Sequence, residues 1–529
     1  MDTVNITFWW ETAAFPLLTL MTITPLVTMV AVLLSPTQIL ALRISFLGMV
    51  LTLLMSIYLL FVFDTTQSGI QLYEQVQNLI FTYTVGVDGT SILFIPLTAI
   101  LALLTLIYTL TNRHAAASDK TYIAALLGYE AILIGAFAAM NALQFWFCCL
   151  LELIPVAILT IHSGTGQNRR WVVALLLQHW ISGLLMVLAG FLMLGFSIMG
   201  SGDTLTFDWL AMQQSDERVE YATLVFFLLF FGFAIRMPLF PFHGWLPVLA
   251  EQGTVASVGI LLVSLKLGIY AAIRFLIPVL PETAAQWSWL VLIFGLIGIL
   301  YGALLALMQI NIRRLLAFAV ISQTGILVIG IFAFNRYGLE GSMLLAIAFG
   351  LAAAGMLFSI GMIYKRTNTS MIPRLGGMFD ANAGIAILFV ISALSTMVMP
   401  GTPGFDGIHL LIEGSIKEHG WLISIVVLIG NVLAAALLLR AFQQIFIAAP
   451  KRFQGPFLYS PKPVVLSSTI NETIIVAVIC SLLIGIGFHT SPWLNVIDQG
   501  AGSIKEPHST PHETQYSSIE VVSITTKDN

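Results

Sequence analysis

Charged residues are scarce in this sequence. They account for 9% of its 529 residues, whereas hydrophobic residues account for 58%; an average soluble domain carries about 25% charged residues. The formal net charge of -4 is spread thinly along the chain, without the clustered Lys and Arg of a nucleic-acid surface. We therefore exclude a soluble core and a nucleic-acid partner, and expect a lipid membrane as the solvent.

Cysteine is also rare, and its three residues are Cys148, Cys149 and Cys480. All lie in apolar runs, and none belongs to a CxxC or Cys/His spacing that could hold a metal ion or an iron–sulfur cluster. The sequence also lacks a GxGxxG pattern and a P-loop lysine for a nucleotide. We predict that this chain holds no cofactor and that any electron transfer belongs to partner subunits.

Long apolar runs are abundant. A helix that spans the hydrocarbon layer needs roughly 20 predominantly apolar residues, and about fourteen runs meet that length. The predicted spans are 14–34, 41–63, 87–110, 120–140, 142–162, 171–197, 221–238, 254–277, 287–308, 313–334, 341–363, 379–400, 421–447 and 471–489. No basic region precedes the first run, so we expect a permanent span rather than a signal peptide. The predicted fold class is all-α, a polytopic membrane protein with about fourteen transmembrane helices.

Basic residues follow the odd-numbered spans, and acidic residues dominate the loops after spans two and six. The basic residues are Arg43, Arg113, Lys120, Arg169, Arg170, Arg313, Arg314, Lys365, Arg366, Arg374, Lys451, Arg452 and Lys462. The acidic residues are Asp64, Glu74, Asp203, Asp208, Asp216, Glu217 and Glu220, with a single Arg218 among them. By the positive-inside rule, the odd loops face the cytoplasm and both termini face the opposite side. We expect the polar stretch 500–529 to be a mobile tail or a strap.

Ionisable residues inside the apolar runs are the first functional candidates. Each costs about 2.5–3.5 kcal/mol at a helix centre, so each needs a partner or a wet cavity. They are Glu130, Glu152, His179, Arg236, His243, Lys266 and the group Asp406, His409 and Glu413.

Lys266 lies within the strongly apolar segment LLVSLKLGIYAAIRF. Burial favours the neutral form of an ammonium group, so this lysine could exchange a proton near neutral pH. The alternative is a snorkelling or ion-paired structural lysine.

Glu152 and Glu130 could oppose a lysine or arginine on another span, where protonation of one group affects the other. The alternative is a static buried pair.

Proline interrupts two of the apolar runs, at RMPLFPFH (236–243) and at MPGTPGFDG (399–407). Paired interruptions of this kind indicate an inverted-repeat transporter with its path at the repeat interface. Within the first, Arg236 could organise charge but not relay a proton, and His243 could relay one or be a structural histidine. The predicted divisions are 1–119 (helices 1–3), 120–277 (first repeat), 278–449 (second repeat), 450–499 (helix 14) and 500–529 (tail).

Several segments between about Val85 and Phe446 resemble the antiporter-like chain 4 subunit of complex I. They are VGVDGTSILFIPLTAI, LELIPVAIL, IRMPLFPFHGWLP, LLVSLKLGIYAAIRF, NIRRLLAFAVISQTGILVIGI, IYKRTNTSMIPRLGGMF and MPGTPGFDG. The LELIPV form is especially similar to the cyanobacterial and chloroplast branch of that family. The resemblance implies a fourteen-helix antiporter-like fold in the membrane arm of a complex that takes electrons from ferredoxin to plastoquinone and pumps protons. It also implies a thylakoid membrane and other membrane-arm subunits as partners, with plastoquinone and iron–sulfur clusters in partner subunits of the complex.

Five positions of the family pattern carry other residues. The family has a glutamate before the span-five proline, a lysine in span seven, histidines after Ser322 and in span eleven, and a glutamate after the second interruption. In this sequence those positions are Leu150, Arg236, Gln323, Phe349 and Ile408. Lys266, in span eight, stands where the family has its lysine.

These departures leave two interpretations of the proton path. Protons could follow a rerouted path through Glu152, Lys266, His243 and the Asp406, His409 and Glu413 group, or the subunit could pump weakly in a specialised complex. The family includes chain 4 variants of CO2-uptake complexes, which assemble with a chain 5 homologue and a CO2-hydration subunit, and we predict such a variant. The alternatives are an Mrp-like cation/proton antiporter subunit, which shares the fold, and a structural subunit with an inactive channel.

Overall fold

The structure, a computed structural model, describes residues 5–77, 82–111, 119–199, 205–214, 219–253, 255–448 and 468–501. Helices dominate these ranges. From the first half of the chain they are α1 Trp9–Thr12, α2 Leu17–Leu34, α3 Gln38–Val62, α4 Phe94–Thr111, α5 Lys120–Ala138, α6 Ala142–Leu151, α7 Leu153–Ser163, α8 Arg169–Ile198, α9 Trp209–Gln214, α10 Ala222–Arg236, α11 Trp245–Gln252, α12 Val255–Ser264 and α13 Lys266–Ala271. From the second half they are α14 Pro281–Met308, α15 Ile312–Ile331, α16 Arg336–Thr367, α17 Met378–Ala381, α18 Ala383–Thr396, α19 Pro403–His419, α20 Trp421–Phe442, α21 Ile470–Phe488 and α22 Ser491–Ala501. Short π-helical turns follow α13 and α20, at Ala272–Leu276 and Gln443–Ile447, and a 3-10 turn covers Ile372–Arg374.

The predicted membrane fold is confirmed, with a different count of long helices. Within the described ranges, twelve helices are long and apolar enough to cross a membrane. Two further apolar helices, α10 and α18, have 15 and 14 residues and end just before the predicted proline interruptions. Two of these twelve, Ala142–His162 and Gly259–Leu276, each contain one residue outside the named helices, between α6 and α7 and between α12 and α13.

The helices form a buried centre and a lipid-facing periphery. Helices α4, α5, α15 and α16, with the segment Gly259–Leu276, are buried along most of their length. Helix α16 runs through the middle and packs against α12, α15, α18 and α19. In the most apolar part of each peripheral helix, only about a third of the residues are buried inside the protein. These helices are α2, α3, α8, α14, α20 and α21. Their exposed residues are large and hydrophobic, as a hydrocarbon solvent requires.

Glycine allows the central helices to approach closely. A Cβ atom on Gly341 of α16 would lie 2.4 Å from the Leu411 nitrogen and 2.6 Å from the Gly407 oxygen of α19. Both of those atoms belong to the backbone and cannot rotate away. Small residues at helix contacts are a common means of close packing in membranes, and here they bring α16 against α19.

Contacts between loops show that loops after odd-numbered predicted spans lie together at one end of the bundle. At one end Lys365 Nζ donates to Thr111 O at 2.6 Å, Lys120 donates to Ser35 O, and Asn311 pairs with Met371. These residues all follow odd-numbered predicted spans. The predicted alternation of loops is therefore present in the structure, and the compartment that each end faces remains a prediction.

The other end carries a three-stranded sheet with strands β1 Ile6–Phe8, β2 Ile70–Gln77 and β3 Thr82–Val87, in the order β1-β2-β3. Strand β1 is parallel to β2, in a register that sets Ile6 opposite Ile70, and β3 is antiparallel to β2. Helix α22 lies at this end as well. The backbone at Gly89 approaches α22 so closely that a Cβ would stand 2.2 Å from Val496 O, and Arg336 Nε contacts both Glu340 at 2.5 Å and Asp498 at 2.7 Å.

Some predicted features lie outside the described residues. They are the loop residues Arg113, Asp203, Asp216, Glu217, Arg218, Lys451, Arg452 and Lys462, and the predicted tail beyond residue 501.

We expect Gly341→Ala to destabilise the protein, because the added methyl group would push α19 from α16, and overpacking of this kind costs roughly 1–3 kcal/mol. Gly485→Ala is the matched control, since a Cβ there meets no atom within 4 Å and alanine favours a helix. Thermal unfolding of the detergent-solubilised protein measures both. Equal melting temperatures for the two variants would contradict the close approach.

Candidate functional site

The site forms where the end of α10 meets the middle of two apolar spans, Ala142–His162 and Gly259–Leu276. Glu152 lies between α6, which ends at Leu151, and α7, which begins at Leu153, and its own backbone angles are helical. Pro155 has no N–H group to donate to the carbonyl of residue 151, so one hydrogen bond of the span is missing here. The Glu152 side chain is fully buried.

Arg236 is the last residue of α10. Pro238 and Pro241 follow it and remove two backbone donors, so the chain continues in turns until α11 begins at Trp245. Trp245 Nε1 donates to Ile235 O at 3.1 Å, which satisfies a carbonyl that the interrupted helix leaves free.

Leu265 alone separates α12, which ends at Ser264, from α13, which begins at Lys266. Its backbone angles are helical, so both helices belong to the span Gly259–Leu276. Gly268 fits against the end of α10, where a Cβ would lie 2.8 Å from Phe233 O and 2.9 Å from the Met237 nitrogen. This close packing brings Ser264 to the Arg236 side chain.

The resulting Glu152 cluster consists of Glu152, Arg236, Ser264, Tyr129 and Trp180. The Glu152 carboxylate forms an ion pair with Arg236 Nη2 and accepts hydrogen bonds from Ser264 Oγ and, at 3.0 Å, from Tyr129 Oη. Arg236 Nη2 also donates to Ser264 Oγ at 3.1 Å, and the guanidinium carbon lies 4.2 Å from the centre of the Trp180 ring. The charges of the pair therefore cancel inside a shell of polar and aromatic partners.

The guanidinium of Arg236 retains two nitrogens, Nε and Nη1, with no hydrogen-bond partner among the described residues. A void of about 20 Å³ adjoins it, lined mainly by apolar residues such as Phe145, Leu184 and Leu267. The accessible lining of this void is almost entirely apolar and the two Arg236 nitrogens are buried beneath it, so it lacks the polar partners that hold a water molecule.

Lys266 lies two residues beyond Ser264 and is 4% exposed. Its side chain forms no hydrogen bond or ion pair with any residue that the structure describes. Glu130, beside Tyr129 on α5, is fully buried, and neither carboxylate oxygen has a partner within the described ranges. The site therefore adjoins one potential cation and one potential anion that are both unpaired.

His243 lies in the turns after α10 and contacts the second half of the chain. Its ring centre is 5.1 Å from that of Tyr301 on α14 and 6.4 Å from that of Phe318 on α15, and its Nδ1 atom has no partner among the described residues. His179 differs, since its Nδ1 atom contacts Leu175 O at 2.8 Å within its own helix. That contact is local and structural.

Asp406, His409 and Glu413, the group predicted after the second proline interruption, lie on one helix, α19, and none of the three is fully buried. Asp406 accepts a hydrogen bond from Thr490, Glu413 pairs with Lys417 at 3.0 Å, and the His409 ring lies beside Phe405. The spacing of 406, 409 and 413 places all three on one stripe of α19. The opposite stripe, which includes Gly404, Gly407 and Leu411, is the one that is buried.

The sequence analysis missed a second buried ion pair, between Asp88 and Arg274. Their oxygen and Nη1 atoms are 2.7 Å apart, with side chains 4% and 2% exposed. Arg274 belongs to the π-helical turn after α13, accepts a hydrogen bond from Trp209 Nε1 at its backbone oxygen (2.6 Å), and donates to Tyr270 Oη at 3.3 Å. Arg274 is eight positions after Lys266 in the same apolar run. That position could have identified it from the sequence as a buried charge.

No group of three or more His, Cys, Asp or Glu side chains in the described part of the chain converges as a metal site requires. Ion pairs, hydroxyl groups and unpaired ionisable side chains are the chemistry of this site. They can hold and exchange protons.

The interrupted helices and buried charges define an antiporter-like membrane subunit. The family described as NADH:quinone oxidoreductase/Mrp antiporter matches residues 139–434, and the chain belongs to that family. Subunit M of the NADH-quinone oxidoreductase of Rickettsia conorii is 29% identical over 447 residues, covering 82% of this chain and 88% of that protein. Chain 4 of the NAD(P)H-quinone oxidoreductase of Synechococcus sp. is 30% identical over 382 residues, covering 71% of this chain and 68% of that protein.

Among solved structures, a chain of respiratory complex I from Thermus thermophilus has a similar fold. The TM-score is 0.79 at 25% sequence identity, and the match covers 92% of this chain and all of that chain. The antiporter-like fold inferred from the sequence is thus confirmed over nearly the whole chain.

We expect Glu152→Gln and Arg236→Gln each to destabilise the protein by about 3–5 kcal/mol, because each leaves a buried charge without its partner. The double variant removes both charges and should recover most of that loss. A double-mutant cycle on unfolding of the detergent-solubilised protein measures the coupling. The exposed pair Glu413 and Lys417 is the matched control and should show a much smaller coupling. Additive losses in the first cycle would contradict the ion pair.

Proposed function

We propose that this chain translocates protons as the antiporter-like membrane subunit of a complex I-type, quinone-reducing assembly. The observation that supports the proposal best is the Glu152 cluster, whose Ser264 lies two residues from the unpaired, buried Lys266. Intramembrane ionisable residues commonly mark ion and proton pathways. The chain would be enzymatic only as part of its assembly.

The Glu152 cluster and Lys266 differ in how their charges are stabilised. The carboxylate of Glu152 has a counter-charge and two hydroxyl donors. The Lys266 amine has no counter-charge among the described residues, so a negative charge that approached it would stabilise its protonated form. Opening of the pair between Glu152 and Arg236 would supply that negative charge, and its closing would withdraw it.

Ser264 couples these two states. Its hydroxyl group accepts from Arg236 and donates to Glu152, so a movement of either partner acts on the junction that carries Lys266. Arg236 stays charged and organises the pair, since a guanidinium hardly ever deprotonates. Glu130 and His243 are the next candidates for the path, because both are buried and have unpaired ring or carboxylate atoms within the described ranges.

The continuation into the second half is proposed through Asp406, His409 and Glu413. Their side chains share the less buried stripe of α19, so they could conduct only through water or a neighbouring subunit that covers this stripe. The division into repeats at 120–277 and 278–449 remains a prediction that this path depends on.

We expect Lys266→Ala to reduce proton uptake severalfold in liposomes that contain the purified native complex, while quinone reduction persists. Lys120→Ala, at the start of α5, is the control and should leave uptake unchanged. Unchanged uptake in Lys266→Ala would favour the inactive-channel alternative. Transport that depends on Na⁺ and not on quinone would favour the Mrp-like antiporter alternative.

We further propose that the assembly is the photosynthetic form, with ferredoxin as donor and plastoquinone and iron–sulfur clusters in partner subunits. The LELIPV segment and the likeness to the Synechococcus chain 4 protein support this. Subunit M of Rickettsia conorii is similar at nearly the same identity. The partners of the complex must therefore be identified to test whether the assembly is the photosynthetic form. The CO2-uptake form, the thylakoid location and termini on the luminal side belong to the same proposal.

Mass spectrometry of the complex purified from its native membrane should find other membrane-arm subunits, a chain 5 homologue and a CO2-hydration subunit. The physical reason to expect a specialised partner is that five family positions have lost their ionisable side chains or changed them, at Leu150, Arg236, Gln323, Phe349 and Ile408. A complex with only ordinary respiratory partners would contradict the CO2-uptake proposal and leave proton translocation standing.

A further inference from the structure

Three polar side chains follow one face of the apolar segment that carries Lys266. They are Lys266, Tyr270 and Arg274, four residues apart, so each lies about one helical turn beyond the last. All three are buried. Side chains of a helix lean toward its N-terminus, and the contact of Arg274 Nε with Tyr270 Oη at 3.3 Å follows that direction. The row therefore leads from Arg274 toward Lys266.

The ion pair of Asp88 and Arg274, here the Asp88 pair, closes this row at the end of the bundle that carries the sheet. Asp88 directly follows β3, and the next residue, Gly89, lies against α22. The Asp88 carboxylate also accepts hydrogen bonds from Thr90 N at 3.0 Å and from Thr90 Oγ1 at 2.7 Å. The guanidinium carbon of Arg274 lies 4.7 Å from the centre of the Trp209 ring. The pair is thus held by elements other than α13.

Arg274 is close enough to Lys266 to affect its charge. Eight residues of helix at about 1.5 Å each set the two cations about 12 Å apart along the axis. With an effective dielectric constant of about 20, two unit charges at that distance change the proton affinity of a group roughly tenfold. The ionised Asp88 carboxylate cancels most of this effect, because it neutralises the guanidinium.

Lys266 consequently lies between two buried ion pairs. The Glu152 cluster approaches it through Ser264, two residues earlier, and the Asp88 pair approaches it through Tyr270, four residues later. Lys266 itself has no counter-charge among the described residues. The charge balance of each pair therefore influences how readily Lys266 holds a proton.

We propose that the Asp88 pair is a second charge switch for Lys266, operated from the end of the bundle that carries the sheet. Protonation of Asp88, or its withdrawal from Arg274, leaves the guanidinium charge uncompensated and favours loss of the Lys266 proton. That proton passes to the next acceptor of the proposed path, for which Glu130 and His243 are the candidates. Restoring the pair lets Lys266 bind a proton again.

Asp88 and Arg274 are positioning residues in this scheme, since they act on Lys266 through space and do not carry its proton. The switch rests on the proposed translocation of protons through Lys266.

Other ionisable groups lie on the elements that pack against these segments. They are Arg236 on α10, Tyr129 and Glu130 on α5, Cys149 on α6, Glu152 between α6 and α7, Asp208 beside Trp209, and Asp498 on α22, which pairs with Arg336. They are the same in every variant below. They therefore influence the absolute pH dependence but not the difference between variants.

The test measures the midpoint of the pH profile of quinone-driven proton uptake, in liposomes that contain the purified native complex. We expect Asp88→Asn to move the midpoint about one unit toward lower pH, because the uncompensated Arg274 lowers the proton affinity of Lys266. We expect Arg274→Gln to move it toward higher pH, because Asp88, still stabilised by Thr90, raises that affinity. The double variant should restore the midpoint. Structural damage alone would not produce shifts of opposite sign.

Thr90→Val decides the matter if neither single variant of the buried pair folds. It removes the hydroxyl donor of Asp88 and keeps the side-chain shape, so the midpoint should move toward lower pH by less than in Asp88→Asn. Thr98→Val is its matched control, because the buried Thr98 hydroxyl donates only within its own helix, to Phe94 O at 2.7 Å, and the midpoint should not move.

Unmoved midpoints in the variants of the Asp88 pair, or shifts of the same sign in Asp88→Asn and Arg274→Gln, would overturn the switch. The variant Lys266→Ala separates this failure from that of the proposed function. Reduced uptake in Lys266→Ala together with unmoved midpoints would leave proton translocation standing and remove the switch alone. Unchanged uptake in Lys266→Ala would remove both.

Discussion

A hydrocarbon layer offers no hydrogen bonds, so every backbone group that an interrupted helix releases needs a partner within the protein. This chain releases such groups at the Leu151 carbonyl, which Pro155 cannot reach, after α10 and before α19. Tryptophan side chains supply two of the partners, since Trp245 donates to Ile235 O and Trp209 donates to Arg274 O. The interruptions are therefore found among other helices, and the unbroken α2, α3, α14 and α20 form the outer surface.

The same constraint governs the charges. Glu152 with Arg236, and Asp88 with Arg274, are buried as neutral pairs, and Glu472 near the start of α21 is held by Arg366 at 2.7 Å. A buried pair is weak evidence for stability, because the cost of removing both charges from water offsets much of their attraction. Lys266 and Glu130 lack even that compensation among the described residues. A structural lysine would be expected to have a partner, and this favours a role in proton exchange.

Hydropathy predicted most of the architecture, because long apolar helices are the commonest way to cross a bilayer. The sequence singled out Glu152 and Arg236 as ionisable residues in apolar runs, but it could not show that they form a pair. Arg236 is 84 positions away, and no local pattern encodes a contact at that distance.

In the second half, helical geometry sets the limit on what the sequence could show. Asp406, His409 and Glu413 share one stripe of α19, but the sequence did not reveal which stripe faces α16. The small residues Gly404 and Gly407 and the apolar Leu411 do, because only they permit the close approach of the two helices. Asp88 and Arg274 were not predicted as site residues because each is near the end of a predicted span. A charged side chain is ordinary at that position.

Strand β1 and helix α22 lie at the same end of the bundle, one from the beginning of the described chain and the other from its end. The first and last described elements of the chain therefore lie at the same end of the membrane helices. A reporter group placed on either element would be exposed to one and the same compartment, and a protease added on that side would reach both. Whichever compartment it is, β1 and α22 share it.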